Sequence, residues 1–368
     1  MKKRTIALMT ALLLFAALFA GCAQQAEENE ATEQDYVVTD LLGREVTIPA
    51  DAQTFVAIGP GCLRLYCYVA DTSKLVGVEE LELTDPSSRP YVIANEELTS
   101  LEIIGAGGPA NAPDAEKLLV ADPDVIFSLY NSDTSTVDEL QEKTDIPVVA
   151  LSYGDSEMFD PLVDKSIELI GKVTGNETRA SEVIDYFAQV KEDLASRVKD
   201  IDDAEKPLAY MGGMGMRGVH GIESTTGNFS IFDAISARNA VSEAGISDYV
   251  MLDKEKLLEM DPDYIFLDGG GLHLVVEDYA ANTEFYNGLK AFKDGNVYMH
   301  MPYNYYYTNI GVAIADSYYI GSILYPDAFS DVDPAAKFDE IITELLGSSA
   351  YAKMSETYYG GYQNVKFE

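Results

Sequence analysis

The residues of this chain best equipped for chemistry are arginines, histidines and tyrosines set beside glycines. They occur in GPGCLR (59–64), SSRPY (87–91), GGMGMRGVHG (212–221), DGGGLH (268–273) and PYNYYYTN (302–309). Such groups suit binding more than bond-breaking. A guanidinium grips carboxylate or oxyanion oxygens in pairs, a tyrosine offers flat contact area and one hydroxyl, and glycine lets the backbone approach a ligand closely. The candidate ligand contacts are Arg64, Arg89, Tyr91, Tyr130 and Tyr153 in the first half, and Arg217, His220, His273, Tyr303 and Tyr305 in the second. Together they suit a bulky, planar or chelated anion. An extended tyrosine run would put Tyr303, Tyr305 and Tyr307 on one side. His300, inside MHM, reads as structural. A nucleophile elbow, a phosphate-binding loop, HExxH and paired CxxC motifs are absent from the sequence. The three histidines all fall in the second half and cannot cage a bare transition metal between two halves. No catalytic residue, resident metal or cofactor is expected. Cys62 and Cys67 would sit on different faces of a helix, too far apart for a disulfide, and read as buried thiols.

Strand-like apolar runs position these loops. A hairpin, YVVTDLLGREVTIP, precedes TFVAIGPG, KLVGVEE, LEIIG, DVIFSLY and IPVVALSY, and the pattern resumes after Pro207 with PLAYMGG, YIFLDGG and NVYMHMPY. Strands alternating with helical stretches predict an α/β chain with mainly parallel sheets, whose ligands gather at the loops beyond the strand carboxyl ends. In the middle, Val183, Phe187, Val190, Leu194 and Val198 form one apolar stripe on a predicted helix of about six turns. One phrase is used twice. DAEKLLVADPDVIF (114–127) returns as DKEKLLEMDPDYIF (253–266), identical at ten of fourteen positions. In each copy an aspartate is placed to cap a helix, two adjacent leucines are expected to face the core, and Asp-Pro stops the helix. The duplication predicts two Rossmann-like α/β lobes joined by one long connecting helix, with a ligand cleft between them. The expected division is a signal over 1–21, a flexible tether over 22–35, an N-terminal lobe over 36–175, the connecting helix over 176–204 and a C-terminal lobe over 205–368.

The front end, MKKRTIALMTALLLFAALFAGC, runs from basic residues to a short apolar stretch and then to small Gly21 and Cys22. That order describes an export signal and is short for a membrane span. FAGC resembles a bacterial lipobox, which would make Cys22 the acylated mature terminus on the outer face of the cytoplasmic membrane. The segment AQQAEENEATEQD that follows holds no large apolar side chain and reads as a tether. With 25 basic against 62 acidic residues and a formal charge of −37, the surface is a poor partner for nucleic acid.

VTDLLGREVTIP with FVAIGPG, PDAEKLLVADPDVIF, and TNIGVAIADSYYIGSILYP resemble the iron-siderophore, haem and vitamin B12 family of substrate-binding proteins that serve ABC importers, over essentially all of residues 36–368. The resemblance implies two lobes on a single helix and capture of a metal chelate between them. It also implies delivery to a permease dimer whose ATPase is a separate chain, without catalytic turnover. It makes Glu116 and Glu255, at matching places in the repeated phrase, the residues that dock on the permease. An iron chelate is the first expectation for the cargo; a corrinoid, haem or an oxyanion such as molybdate is the alternative within this role. An extracellular enzyme working in the same cleft, or a module presenting ligand to a sensor, would be a different class of protein. The family often stacks ligands on tryptophan, which this chain lacks, so tyrosine would take that part.

Overall fold

Residues 34–367 are described by a computed structural model, apart from Pro109, Asn131, Ser132 and Ser156. The export signal, Cys22 and nearly all of the tether lie outside the described residues.

The chain first forms the expected hairpin, β1 (Tyr36–Thr39) against β2 (Glu45–Ile48), with Tyr36 opposite Ile48. Five short strands follow: β3 (Phe55–Ile58), β4 (Gly77–Glu79), β5 (Glu102–Gly105), β6 (Val125–Ser128) and β7 (Val148–Ala150). β3, β6 and β7 lie parallel in that order, β4 pairs in parallel with β5, and a bridge from Phe55 to Leu75 joins the two groups. All four residues of β3 and of β6 are buried, as expected of parallel strands covered on both faces.

The second sheet holds β8 (Leu208–Gly212), β10 (Arg238–Asn239), β12 (Tyr264–Asp268), β13 (Val297–His300) and β14 (Gln363–Asn364), in the order β10-β8-β12-β13-β14. The first four are parallel; β14 closes the edge antiparallel to β13. A separate antiparallel pair is made by β9 (Ser224–Thr226) and β11 (Tyr249–Met251). These two-lobe α/β elements match the expectation from alternating strands and helices.

The connecting helix spans Glu177–Val198, and Val183, Phe187, Val190, Leu194 and Val198 are all buried along it. Its Phe187 meets Tyr68 of the first lobe edge-on, with ring centroids 6.4 Å apart. The C-terminal helices do more than complete the second lobe. Pro334–Leu346 packs on Cys62–Val69 and Pro90–Ala94 of the first, and Lys353 stands 3.7 Å from Glu96. One apolar core therefore runs from Phe55 and Tyr66 through the connecting helix to Val312, Phe329 and Ile342.

The repeated phrase folds twice as helix, turn and strand: Ala115–Ala121 before β6 and Lys254–Met260 before β12. Asp114 caps the first helix by accepting from the Lys117 amide at 3.1 Å, whereas Asp253 makes no such side-chain bond. Both helices end on an aspartate in the left-handed region, Asp122 at φ 50° and Asp261 at φ 40°. Leu118 and Leu257 are buried, but Leu119 is 50% exposed and Leu258 38%. The expectation that both leucines of each pair face the core is corrected on this point: neighbours on a helix lie about 100° apart, and a two-turn helix at a sheet margin buries only one of them.

Candidate functional site

The loops beyond the strand ends of the two lobes meet through the segment 303–309. In the first lobe, β3 runs into Gly59, which sits at φ +90°; a Cβ there would lie 2.9 Å from the Leu129 carbonyl carbon and the Tyr130 nitrogen. This close approach lets the ends of β3 and β6 converge. The following helix, Cys62–Val69, is buried at every residue, including Arg64.

Arg64 has no donor to spare. Its Nε donates to Asn309 Oδ1 at 2.7 Å; Nη1 to the Tyr153 hydroxyl and the Thr308 carbonyl, both at 2.9 Å; Nη2 to the carbonyls of Tyr305 at 2.9 Å and Tyr306 at 3.2 Å. Tyr153 in turn donates to the Thr308 carbonyl at 2.8 Å. Burial disfavours the guanidinium charge, and the surrounding tyrosines Tyr153 and Tyr91 more than offset it, so its pKa is raised. Arg64 thus brackets the tyrosine loop to the first lobe.

Arg89 is equally buried. Its Nε lies 3.2 Å from Glu82 Oε2, its other nitrogens donate to the carbonyls of Asp85 and Leu81, and its guanidinium lies 4.3 Å from the Tyr305 ring centroid. Tyr91 donates to the same Glu82 oxygen at 2.6 Å and carries Arg64 over its ring at 5.1 Å. Burial raises the Glu82 pKa, with Arg89 and Tyr91 pulling it back.

Tyr130 belongs to a second cluster around Glu79, which is 3% exposed at the end of β4. Glu79 Oε1 accepts from the Tyr130 hydroxyl at 2.8 Å, and Oε2 from the Gly59 amide at 2.9 Å and the Tyr306 hydroxyl at 3.1 Å. The Gly108 amide donates to the Tyr306 hydroxyl at 2.6 Å. Burial raises the Glu79 pKa against the pull of these donors. A side chain of the second lobe therefore occupies a polar pocket of the first.

The tyrosine run is not extended, so Tyr303, Tyr305 and Tyr307 do not share a side. Tyr306 and Tyr307 adopt φ of 55° and 64°, the left-handed region, at a cost of about 1–3 kcal/mol each, met by the Arg64 and Glu79 bonds. Tyr303 is buried against Phe229 and His300, Tyr305 meets Arg89, Tyr306 enters the Glu79 pocket, and Tyr307 stacks on Tyr153 at 5.2 Å with its outer part exposed.

In the second lobe, the glycine-rich loop after β8 adjoins this run: Asn304 donates to the Gly215 carbonyl at 2.7 Å. Arg217 is exposed at φ 55°, His220 is half-buried with its Nε2 2.9 Å from the Met216 carbonyl, and His273 is exposed on the helix Leu272–Ala281. Behind them lies a buried charged group. His300 Nδ1 is 3.0 Å from Asp316 Oδ2, the Tyr362 hydroxyl donates to Asp316 Oδ1 at 2.7 Å, and Asp268 is buried at the end of β12. Burial pushes Asp268 up to about 6, with His300 opposing. Burial works against the His300 charge, yet Asp316 and Asp268 raise its pKa.

Arg64, Arg89, Tyr91, Tyr153 and Tyr305 thus form one connected cluster; Tyr130 joins the Glu79 cluster; Arg217, His220 and His273 stand apart on the second-lobe side. Sequence reasoning passed over Glu79 and Asn309, and left open which tyrosines of the run, Tyr306 included, face the ligand. The signal for Glu79 was a carboxylate closing the apolar run KLVGVE, at the carboxyl end of a strand. Two depressions, of about 400 Å³ beside Tyr68 and Arg179 and about 220 Å³ beside Tyr66 and Lys74, lie away from these loops. Among the described residues no group of three or more His, Cys, Asp or Glu side chains could hold a metal ion, and no helix is long and apolar enough to cross a membrane. Cys62 and Cys67 are buried free thiols.

Two α/β lobes on one helix, with loops facing each other across strand ends, define a ligand-binding protein of the bilobal kind. The Periplasmic binding protein family model matches residues 56–303, and the chain belongs to that family. The chain is 23% identical over 304 residues to the uncharacterized ABC transporter substrate-binding lipoprotein YvrC of Bacillus subtilis, covering 81% of this chain and 90% of that one. It is 26% identical over 320 residues to the molybdate-binding protein MolA of Haemophilus influenzae, covering 81% and 87%. The Fe(3+)-citrate-binding protein YfmC of Bacillus subtilis is 23% identical over 303 residues, covering 80% and 89%. The solved structure of MolA bound to molybdate superposes with a TM-score of 0.67 at 23% identity, over 86% of this chain and 99% of that one, and shares its fold. These relatives are transport proteins, and this chain is a binding protein of that class, not an enzyme.

Proposed function

We propose that this protein is the extracytoplasmic, lipid-anchored substrate-binding component of an ABC importer, capturing an iron chelate between lobes 36–175 and 205–368 and handing it to a permease dimer driven by a separate ATPase. The observation that carries the reading is the meeting of cationic, aromatic and glycine-rich loops at the strand ends of both parallel sheets, on a chain of the periplasmic binding protein family. Arg217, His220, His273 and the free faces of Tyr305 and Tyr307 are the ligand contacts; Arg64, Arg89, Tyr91, Tyr130, Tyr153 and Tyr303 shape the floor beneath them. Glu116 and Glu255 dock on the permease. Both are exposed in the first turn of their helices, and each is followed three residues later by an exposed leucine on the same face, Leu119 or Leu258. Two such matched patches fix orientation on a two-fold partner, because each exposed ion pair contributes only ~0–1 kcal/mol.

Likeness to the molybdate-binding protein MolA favours a second reading, an oxyanion as cargo. Native mass spectrometry of the purified protein with ferric citrate, a ferric catecholate, haem, cobalamin and molybdate separates the two. Retention of a ferric chelate supports the first reading, and retention of molybdate alone replaces it. Cys22→Ala should release the protein into the medium; continued membrane retention would place the anchor elsewhere.

A further inference from the structure

The pocket that receives Tyr306 has a recognisable chemistry. It offers one N–H donor, the Gly108 amide at 2.6 Å; one acceptor, Glu79 Oε2 at 3.1 Å; and the Tyr130 hydroxyl oxygen at 3.1 Å, which is left to accept because its proton is given to Glu79 Oε1. The carboxylate is itself fixed by Gly59 and Tyr130, so it cannot turn away from whatever enters. Gly108 holds its amide in place at φ +97°, a conformation that residues with a Cβ adopt rarely. All these groups lie beyond the carboxyl ends of first-lobe strands, where parallel sheets bind their ligands.

What fills the pocket now is a neutral phenol hydroxyl that donates once and accepts once. An oxygen without a proton could accept from Gly108 but would then face the Glu79 carboxylate, like charge against like charge in a buried setting. The occupant also arrives under tension. Tyr306 and Tyr307 are both left-handed, while Arg64 holds the carbonyls of Tyr305, Tyr306 and Thr308.

We propose that the Gly108–Glu79–Tyr130 pocket is a ligand subsite for a protonated hydroxyl group, phenolic or aliphatic, and that Tyr306 is its built-in occupant, displaced when a ligand brings its own O–H. The proposal rests on the binding-protein reading and narrows it: a cargo that uses this subsite carries a free hydroxyl, and a tetrahedral oxyanion such as molybdate does not enter. Leaving the pocket removes one of the two anchors that hold Tyr306 in its left-handed backbone, the other being Arg64 on the Tyr305 and Tyr306 carbonyls.

The test uses the full-length protein purified in detergent, with phenol, anisole and sodium molybdate as probes in titration calorimetry. Tyr306→Gly empties the pocket and accepts the left-handed backbone at that position. Phenol should bind this variant at least tenfold more tightly than it binds the parent, and at least tenfold more tightly than anisole, which cannot donate; molybdate should gain no affinity. Equal affinities for phenol and anisole, or a gain for molybdate, would overturn the subsite. If Tyr306→Gly does not melt cooperatively, Tyr306→Phe, which removes one oxygen, carries the question. Its plug no longer bonds to Glu79 or Gly108, so phenol should bind at least fivefold more tightly than to the parent, and unchanged affinity counts against the proposal. Native mass spectrometry of the parent with ferric chelates reads the carrier role separately, so failure of one result does not stand in for failure of the other.

Discussion

Replacing Arg64 with Met keeps a long stem in the core and removes the four hydrogen bonds by which this side chain holds the 305–309 segment to the first lobe. Asn309 Oδ1 and the carbonyls of Tyr305 and Tyr306 lose a charged partner; the Thr308 carbonyl keeps the Tyr153 hydroxyl. A hydrogen bond to a charged group is worth ~1.5–3 kcal/mol, but bonds sharing one side chain are strongly sub-additive. The buried methionine also escapes the desolvation that burial imposes on the guanidinium. Together these set the loss at about 4 kcal/mol. Unfolding entropy of ~2.1 cal/mol/K per residue over about 330 residues is ~0.7 kcal/mol/K, so the melting midpoint should fall by about 6 °C. Differential scanning calorimetry reads the midpoint, and amide exchange at Tyr305–Asn309 should quicken with it. Arg64→Lys, with a charge but fewer donors and no planar fork, should fall between. A midpoint within 2 °C of the parent for Arg64→Met, with exchange in the loop unchanged, would refute the claim that this side chain brackets the two lobes.

Three other outcomes are expected. Glu116→Arg with Glu255→Arg should leave ligand affinity intact and abolish uptake by whole cells; a parallel loss of affinity would refute the docking role. Arg217→Ala should weaken an anionic chelate by more than tenfold, over ~1.4 kcal/mol, and an unchanged titration curve would remove Arg217 from the ligand contacts. Burial lifts Asp268 to about 6, above its unfolded value, so the folded state holds this proton more tightly and loses stability as pH rises from about 4 to about 6. His300, also raised, gives stability that is present in acid and lost as pH climbs through its folded pKa. Asp268→Asn should therefore gain on the parent between pH 4.5 and 7.5, by ~2 kcal/mol, in denaturant melts. A constant difference between variant and parent at the two pH values would contradict the assignment.

What the sequence made legible was whatever is periodic or repeated. Val183 to Val198 fall at helical spacing and all five stripe residues are buried in a 22-residue helix, since one face alone decides the packing. The repeated phrase announced two equivalent units, yet adjacent leucines look alike in sequence, and only the surrounding sheet decides that Leu118 goes in and Leu119 out. Short edge pieces such as Gln363–Asn364 carry no signal of their own, because two residues have no period. The polar clusters were the least accessible. Glu79 meets Tyr306 across 227 positions and Arg64 meets Asn309 across 245, so neither bond leaves a local trace. The shape of the tyrosine run is open in the sequence for the same reason: alternation holds only for an extended backbone, and distant partners instead hold Tyr306 and Tyr307 in a conformation that isolated residues avoid.

Each half keeps an apolar cluster of its own, but a third runs without a seam from Tyr68 and Phe187 to Ile342 and ties them together, which limits how far they can swing apart. Filling such a carrier cannot change its silhouette much. A membrane partner that accepts the loaded form and ignores the empty one must then sense something small, such as the disposition of a few aromatic side chains, and discrimination becomes a matter of surface texture more than of shape.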